Sequence, residues 1–217
     1  MPDLPCPALP DPSPAPNASV AACEAWIHRR QHLGPKHLGE PGPDDALLRR
    51  LLAAAAAAPD HRQCVPWRFL VLGPQARHTL AEAFARSLLH RDPHAPAHAV
   101  DDARRKAFRG PVLLLAVARL ATPEPSADPA LASVRVPPWE RLVSLGAALQ
   151  NLLLAAQAHG FASGLTSGQA LQDEALRQAF GLAADEQAVC FVNLGTALRQ
   201  RAGRPRPAVD EFTQWWP

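Results

Sequence analysis

The segment at residues 112–118, which reads VLLLAVA, constrains the fold of this chain more than any other feature of the sequence. It directly follows Gly110-Pro111, and all of its residues are apolar. A short continuous apolar run bounded by turn residues is typical of a strand that is buried on both faces. The sequence therefore predicts a β-sheet whose central strand lies between two layers of helices.

Helical spacing of apolar residues and the positions of Pro and Gly predict the other elements. Helices are predicted at residues 19–31, 43–58, 139–160 and 173–180, and short strands at 67–72, 161–165 and 189–194. A further helix is predicted after Gly73-Pro74, because Leu80, Phe84 and Leu88 align on one side of it. Proline-containing loops are predicted from Gly34-Pro35 to Pro41-Gly42-Pro43 and at residues 90–99 and 122–138. The apolar residues of the longest helix spread around more than half of its circumference, so we expect both sides to pack, one of them against a second subunit. This order of elements indicates an α+β domain.

The two ends of the chain differ from this core. Proline at nearly every second position removes backbone donors from the N-terminal segment, so residues 1–18 are predicted to be a disordered arm. Residues 19–217 are predicted to be a single domain, because a chain of 217 residues suits one hydrophobic core. Its basic, proline-rich tail ends in Trp215-Trp216, and we expect these aromatic rings to dock onto this chain or onto a partner.

Charge, cysteines and hydropathy exclude several classes of partner. The scattered basic residues and a net charge of +2 argue against nucleic acid. The four cysteines lie far apart and have no metal-ligand spacing. The N-terminus lacks the basic and apolar regions of a signal peptide, and no apolar run reaches membrane-spanning length. We therefore expect a cytoplasmic protein with no metal, no nucleic acid and no membrane partner.

Several short polar motifs stand out, although the chain has no G-x-G-x-x-G, P-loop, G-x-S-x-G or H-E-x-x-H sequence. They are HRRQ at residues 28–31, APDHRQCVPW at 58–67, SLGAALQNLLLAAQAHGF at 144–161, GLTSG at 164–168 and NLGTALRQR at 193–201. In combination these motifs resemble the nitroreductase family of flavoproteins, and more closely its compact branch of short NAD(P)H-dependent reductases. The resemblance covers roughly residues 22–199.

The resemblance implies a fold, a cofactor and a reaction. The implied fold is a three-layer α/β/α arrangement with a mixed, mainly antiparallel sheet, in an interlocked homodimer that binds two FMN molecules at its interface. In the implied ping-pong cycle, NAD(P)H gives a hydride to flavin N5 and leaves, and a nitroaromatic, a quinone or a similar acceptor then takes the electrons. The flavin supplies the chemistry, so we assign no catalytic side chain.

Within the resemblance, Arg29 and Arg30 match the paired arginines that bind the FMN phosphate and the polar edge of the flavin. Guanidinium groups suit this role because they form paired, charge-assisted hydrogen bonds with phosphate oxygens. Gln31 stands where a small Ser is usual in the family, and we include it in the implied cofactor site. The alternative is a solvated basic helix end that offsets the helix dipole.

The segment around Ala57 and His61 matches the turn that brings small residues and a polar ring against the flavin. A flavin needs close approach of the backbone near N5 and O4 and a donor near N1 and O2. The alternative is a loop histidine that caps the preceding helix. Asp60 is expected to form the turn in either case. Cys64 is expected to fill space beside Pro66, with a thiolate nucleophile as the alternative.

Leu165, Thr166 and Ser167 match the loop that wraps the flavin from the other subunit. The family commonly has a Trp-Arg pair before this Ser, and the present chain lacks it. An ordinary turn is the alternative. Arg199 is a candidate second phosphate ligand, in competition with three later arginines. The segment 155–160 matches a nicotinamide-contact region, which we interpret first as helix packing.

Two rival functions follow from these departures. The missing Trp-Arg pair and Gln31 are compatible with a protein of this fold that has become a flavin-binding or sensing module without turnover. The proline-rich arm and the Trp215-Trp216 tail are compatible with docking segments of an interaction module.

Overall fold

A computed structural model describes residues 18–121, 136–199 and 205–216. This part of the chain forms six α-helices: α1 (Ala18–Arg29), α2 (Asp45–Ala56), α3 (Pro74–Arg91), α4 (Ala97–Arg105), α5 (Pro138–Ala158) and α6 (Glu174–Ala179). It also forms five strands: β1 (Leu38–Gly39), β2 (Trp67–Val71), β3 (Val112–Arg119), β4 (Ala162–Thr166) and β5 (Glu186–Ala197). Residues 1–17 of the predicted arm and most of the predicted loop at 122–138 lie outside the described residues.

Strand β3 lies at the centre of the sheet, and its residues 113–118 are all buried. Antiparallel neighbours flank it on both sides, with Leu115 opposite Leu70 of β2 and opposite Phe191 of β5. Strand β4 pairs antiparallel with β5, and the short β1 pairs with the C-terminal end of β5. The prediction of a doubly covered central strand is therefore confirmed.

The side chains of β3 alternate between two helical layers. Leu114, Ala116 and Ala118 pack in one cluster with the buried faces of α2 and α5. Leu113, Leu115 and Val117 pack in a second cluster with residues of α3 and α6. Burial of each leucine side chain contributes on the order of 2 kcal/mol to folding. The three-layer α/β/α arrangement is confirmed.

The structure corrects several predicted boundaries. The loop predicted at residues 90–99 is wrong in part, because α3 continues to Arg91 and α4 begins at Ala97. Pro96 takes the N-cap position of α4 with extended backbone angles, and proline at a helix start leaves the helical hydrogen bonds intact. Strand β1 lies in a segment predicted to be a loop, since two residues are too few to show a periodicity.

Two further boundaries concern the candidate site. Helix α1 ends at Arg29, so Arg30 and Gln31 follow the helix instead of belonging to it. Strand β5 extends beyond the predicted residues 189–194 at both ends.

No helix of the described residues is long and apolar enough to cross a bilayer.

The C-terminal tail does not dock onto this chain through its last aromatic rings. Trp215 and Trp216 are 81% and 84% exposed, and the nearby Phe212 is also exposed. The prediction that these rings pack on the chain itself is therefore wrong. Docking onto a second chain stays a prediction.

Candidate functional site

A cavity of about 770 Å³ opens on the side of the sheet that α3 covers. Its floor is apolar and is formed by Leu80, Phe84 and Leu88 of α3 with Leu113 and Phe191 of the sheet. The Phe84 and Phe191 rings meet edge to face, with centroids 5.6 Å apart. A rigid apolar floor of this kind suits one face of a flat ligand.

The walls of the cavity carry most of its charge. The lining includes the cationic side chains of Lys36, Arg91, Lys106 and Arg109, together with one carboxylate, Asp102. These residues come from separate segments, so the fold brings the charges together. Arg91 donates a hydrogen bond to Gln169, another residue of the wall.

Asp102, the carboxylate of the lining, is paired most closely with a side chain outside the lining. Its carboxylate accepts a hydrogen bond from Arg105, one turn further along α4. This bond, with smaller contributions from His98 and Arg109, holds the pKa of Asp102 below its usual range. Asp102 is therefore ionised at neutral pH, and its strongest contact is directed away from the cavity.

Thr166 lines the cavity, and a buried side chain holds its hydroxyl through a hydrogen bond. Asn193 is only 2% exposed, and its Nδ2 donates to the Thr166 hydroxyl at 3.0 Å and to the Gly164 carbonyl at 3.3 Å. Because the Thr166 oxygen accepts this bond, its own hydrogen is directed to another acceptor. Asn193 thus sets Thr166 as a donor at the cavity wall.

Gly164 allows the segment that follows α1 to lie directly on β4. The Leu33 amide donates to the Ser163 carbonyl at 2.9 Å, and His32 forms a parallel bridge with Ser163. A Cβ atom on Gly164 would overlap the Leu33 carbonyl oxygen and lie 2.9 Å from its carbon. Backbone atoms cannot swing away like a side chain, so only glycine permits this approach.

His61 lies on the other helical layer. Its Nδ1 donates to Glu140 Oε2 at 2.7 Å, and Glu140 lies in the first turn of α5. The ring is therefore bound to α5 and not to the end of α2, which argues against the capping alternative. Ala57 caps α2 on the same layer, so the sheet separates both residues from the cavity of their own chain.

The loop that presents His61 has an unusual backbone. Arg62, Gln63 and Val65 have φ values of 65°, 53° and 43°, which side-chain-bearing residues rarely adopt. Asp60 holds this loop, because its carboxylate accepts a 2.7 Å hydrogen bond from the Val65 amide. The expectation that Asp60 forms the turn is confirmed. Strain of this kind concentrates at functional sites.

The model of the Nitroreductase family matches residues 36–196. The chain belongs to the nitroreductase family. One relative, "Putative NAD(P)H nitroreductase YdjA" of Escherichia coli (strain K12), is 30% identical over 175 residues, which cover 81% of this chain and 87% of the relative.

Solved structures show the same nitroreductase fold. A nitroreductase-like family protein from Bacillus cereus has a TM-score of 0.70 at 18% identity, covering 89% of this chain and 95% of that one. The FMN-dependent nitroreductase NfnB from Mycobacterium smegmatis, solved in complex with NADPH, has a TM-score of 0.65 at 16% identity, covering 92% and 100%. These likenesses confirm the predicted fold.

The nitroreductase motifs are brought only partly together in one chain. Of the predicted site residues, Thr166 and Ser167 line the cavity. Leu165 packs against the core on the α5 side, because neighbouring residues of a strand face opposite layers. Arg199 is exposed beyond the end of β5 and is not part of the cavity lining.

The paired arginines, Arg29 and Arg30, lie outside the cavity lining. Arg29 is exposed in the last turn of α1, whereas Arg30 is half-buried and its carbonyl accepts a 2.6 Å hydrogen bond from Arg206. Burial, with the nearby Arg206 charge, lowers the pKa of Arg30. Gln31 is also half-buried. An anion at this position would relieve the repulsion between the two guanidinium groups.

Sequence reasoning missed the cationic side chains of the cavity and Asn193. Lys36 lies in a predicted loop and was given no role, and Lys106 and Arg109 lie in the stretch 100–111, for which the sequence predicted no element. The motif NLGTALRQR begins at Asn193, but the letters alone do not show that this side chain is buried under Thr166. The Cys64 thiol donates to the His61 carbonyl at 3.1 Å, which supports the packing role and not the nucleophile.

Proposed function

We propose that this protein is an FMN-dependent oxidoreductase that takes electrons from NAD(P)H and passes them to a small acceptor such as a nitroaromatic or a quinone. The observation that carries the proposal is the cavity, which combines an apolar floor with a cationic wall. Family membership and the FMN-dependent, NADPH-bound structure of similar fold support it. A ping-pong cycle is the proposed order of reaction.

The residues of the cavity fit a flavin. The Phe84 and Phe191 rings and the leucines around them offer apolar surface to a flat ring system. Thr166 offers a hydroxyl donor to the polar edge of that ring. Bound FMN would supply the chemistry by accepting a hydride from NAD(P)H and giving two electrons to the acceptor.

The proposed site is completed by a second copy of the chain. Ala57 and His61 lie on the α5 layer, so they reach a cavity only if that cavity belongs to another chain. Helix α5 has an exposed apolar face, on which Trp139 is 64% and Val143 66% exposed. We propose that this face packs in an interlocked homodimer, which also places Leu165 near the flavin of the partner.

The FMN phosphate is assigned to the arginines outside the cavity. Arg29 and Arg30 lie at the end of α1, just before the His32 bridge to β4, and Arg199 lies beyond the end of β5. Gln31, the next residue in the chain, would contribute its side-chain amide to the same site. Two or three guanidinium groups there would hold a phosphate through charge-assisted hydrogen bonds.

We place this activity in the cytoplasm. The three cysteines within the described residues, Cys23, Cys64 and Cys190, are all free thiols, which suits a reducing compartment.

The visible absorbance spectrum of the purified protein tests the proposal. We expect a flavin spectrum, present on purification or after addition of FMN, that bleaches when NADH or NADPH is added without oxygen. Arg30→Ala should weaken FMN binding at least about tenfold, since a charge-assisted contact is worth about 1.5–3 kcal/mol. The matched control is Arg86→Ala, an exposed arginine of α3, which should bind FMN normally.

Two results would contradict the proposed oxidoreductase activity. A protein that takes up no FMN is not a flavoprotein, and the proposal fails completely. A protein that binds FMN but is not bleached by either nucleotide is the binding or sensing module without turnover.

A further inference from the structure

We propose that the cationic wall of the cavity binds the phosphates of the reductant, so that NADPH, with its additional 2′-phosphate, is preferred to NADH. This inference rests on the proposed function and specifies its substrate.

The two lysines of the chain both lie at this cavity. The sequence has 22 basic residues besides histidine, and Lys36 and Lys106 are its only lysines. Both line the same cavity, although they lie far apart in the sequence. Lys36 lies in the turn before β1, and Lys106 begins the turn after α4. An ammonium group on a flexible stem suits phosphate as a point charge.

Neither lysine is neutralised by a carboxylate of the described part of the chain. Within the described ranges, no carboxylate forms a salt bridge with Lys36 or with Lys106. The carboxylate of the lining, Asp102, has its closest contact with Arg105. The lysine charges are therefore available to an anionic ligand.

Positive charge is concentrated in the lining of the cavity. The lining has four permanent cations and one carboxylate, whereas the whole chain has only two more cations than carboxylates. A concave wall of one sign focuses the field and raises the local concentration of an oppositely charged substrate. Positive charge is thus collected at the cavity and not spread over the surface.

The flavin phosphate does not account for these cations. It is assigned above to Arg29, Arg30 and Arg199, which are not part of the cavity lining. The cations of the wall are therefore available to NAD(P)H, the other ligand that the proposed cycle requires. A 2′-phosphate adds about 1.5 to 2 negative charges at neutral pH, which is the difference between the two reductants.

Steady-state kinetics of the FMN-loaded protein test this assignment. For the wild type we expect kcat/KM for NADPH to exceed that for NADH by about tenfold or more, the effect of one charge-assisted contact. Lys36→Gln and Lys106→Gln should each raise KM for NADPH about fivefold or more and change KM for NADH much less. Lys36→Arg and Lys106→Arg should restore much of the preference, because they keep the charge. Arg86→Gln, on an exposed part of α3, is the control and should change neither value.

FMN content and salt dependence separate this inference from its rivals. The lysine variants should retain FMN, and added salt should weaken NADPH use more than NADH use. Equal kcat/KM for the two nucleotides would overturn the inference and leave the oxidoreductase intact. Loss of FMN in the lysine variants would assign the lysines to the flavin phosphate and also overturn it. A changed KM for 4-nitrobenzoate with an unchanged KM for NADPH would assign the wall to an anionic acceptor instead. A wild type that oxidises neither nucleotide would refute the proposed function itself.

Discussion

Thr166 and His61 belong to the same proposed site, but the structure holds them by different means. Thr166 ends a strand whose backbone is paired along its length with β5, and a buried Asn193 fixes its hydroxyl. His61 lies in a loop with three positive φ values, held by hydrogen bonds to Asp60 and Glu140. The sheet side of the proposed site, which presents Thr166, is held by the many cooperative hydrogen bonds of the sheet. The loop side, which presents His61, is held by a few polar contacts that offset backbone strain. We therefore expect the sheet side to be rigid and the loop side to be sensitive to single changes.

Mixed dimers test most sharply whether the two sides meet across an interface. His61→Ala and Asn193→Ala should each give a homodimer with low NAD(P)H-dependent activity. When the two variants are combined in one dimer, one cavity has both wild-type sides and the other has neither. Activity per mixed dimer should return to about half of the wild-type value, because one of two sites is restored.

The control is a dimer that carries both substitutions on one chain and none on the other. It should have no intact site, since each cavity then lacks one of its two wild-type sides. Failure of the two single variants to rescue one another would place the whole site within one chain and contradict the arrangement proposed here.

Gly164→Ala should have the largest effect on the stability of the sheet side. The added Cβ would overlap the Leu33 backbone, so β4 and residues 32–33 must separate. We expect a loss of about 3 kcal/mol in the free energy of unfolding, at the upper end of the usual cost of overpacking. Urea unfolding measures it. Gly73→Ala, where a Cβ meets nothing within 4 Å, is the control and should cost about 1 kcal/mol or less.

Glu186 should make the stability of the same sheet depend on pH. Two 2.6 Å hydrogen bonds from Arg68 hold the pKa of Glu186 below its usual range. The unfolded chain therefore binds this proton more tightly, so the pair stabilises the fold above the unfolded pKa of about 4.3 and loses its effect as the pH falls through the folded pKa.

Urea unfolding of Glu186→Gln at pH 7 and at pH 3 checks this sign. The variant should be less stable than the wild type by about 3 kcal/mol at pH 7, because Arg68 loses a mostly buried partner. The difference should shrink at pH 3. Glu174→Gln removes a largely exposed carboxylate 3.8 Å from Arg177 and should cost less than about 1 kcal/mol at either pH. A deficit for Glu186→Gln that is the same at both pH values would contradict the assignment.

The smallest expected effect concerns the strained loop. Val65 and Val71 are both 49% exposed, but Val65 has a φ of 43° and Val71 lies in β2. Val65→Gly should leave stability unchanged or raise it by about 1 kcal/mol, because glycine adopts this conformation without strain. Val71→Gly should cost about 1 kcal/mol, the usual penalty within a strand. If both variants lose the same stability in thermal unfolding, the loop is not strained.

The sequence predicted the sheet better than it predicted the site. The run at 112–118 has a composition that is typical of a strand buried on both faces, and the structure confirms it. Thr166 and Ser167 of the motif at 164–168 line the cavity, whereas their contact with a flavin stays a prediction. Helix α4 was not predicted, because it has few apolar residues and follows two prolines. The contact between His61 and Glu140 joins residues 79 positions apart, and no local pattern encodes such a pair. For the same physical reason, the convergence of Lys36 and Lys106 became visible only in the folded chain.

The close approach at Gly164 also affects the solubility of the protein. Strand β4 is paired with β5 on one side, and on its other side the Ser163 carbonyl accepts the amide of Leu33. Residues 32–33 thus cover part of a strand whose unpaired N–H and C=O groups would otherwise be open to strands of other molecules. A glycine chosen for close packing therefore also protects the sheet from aggregation, and a variant that loosens this cover should precipitate from its folded state before it unfolds.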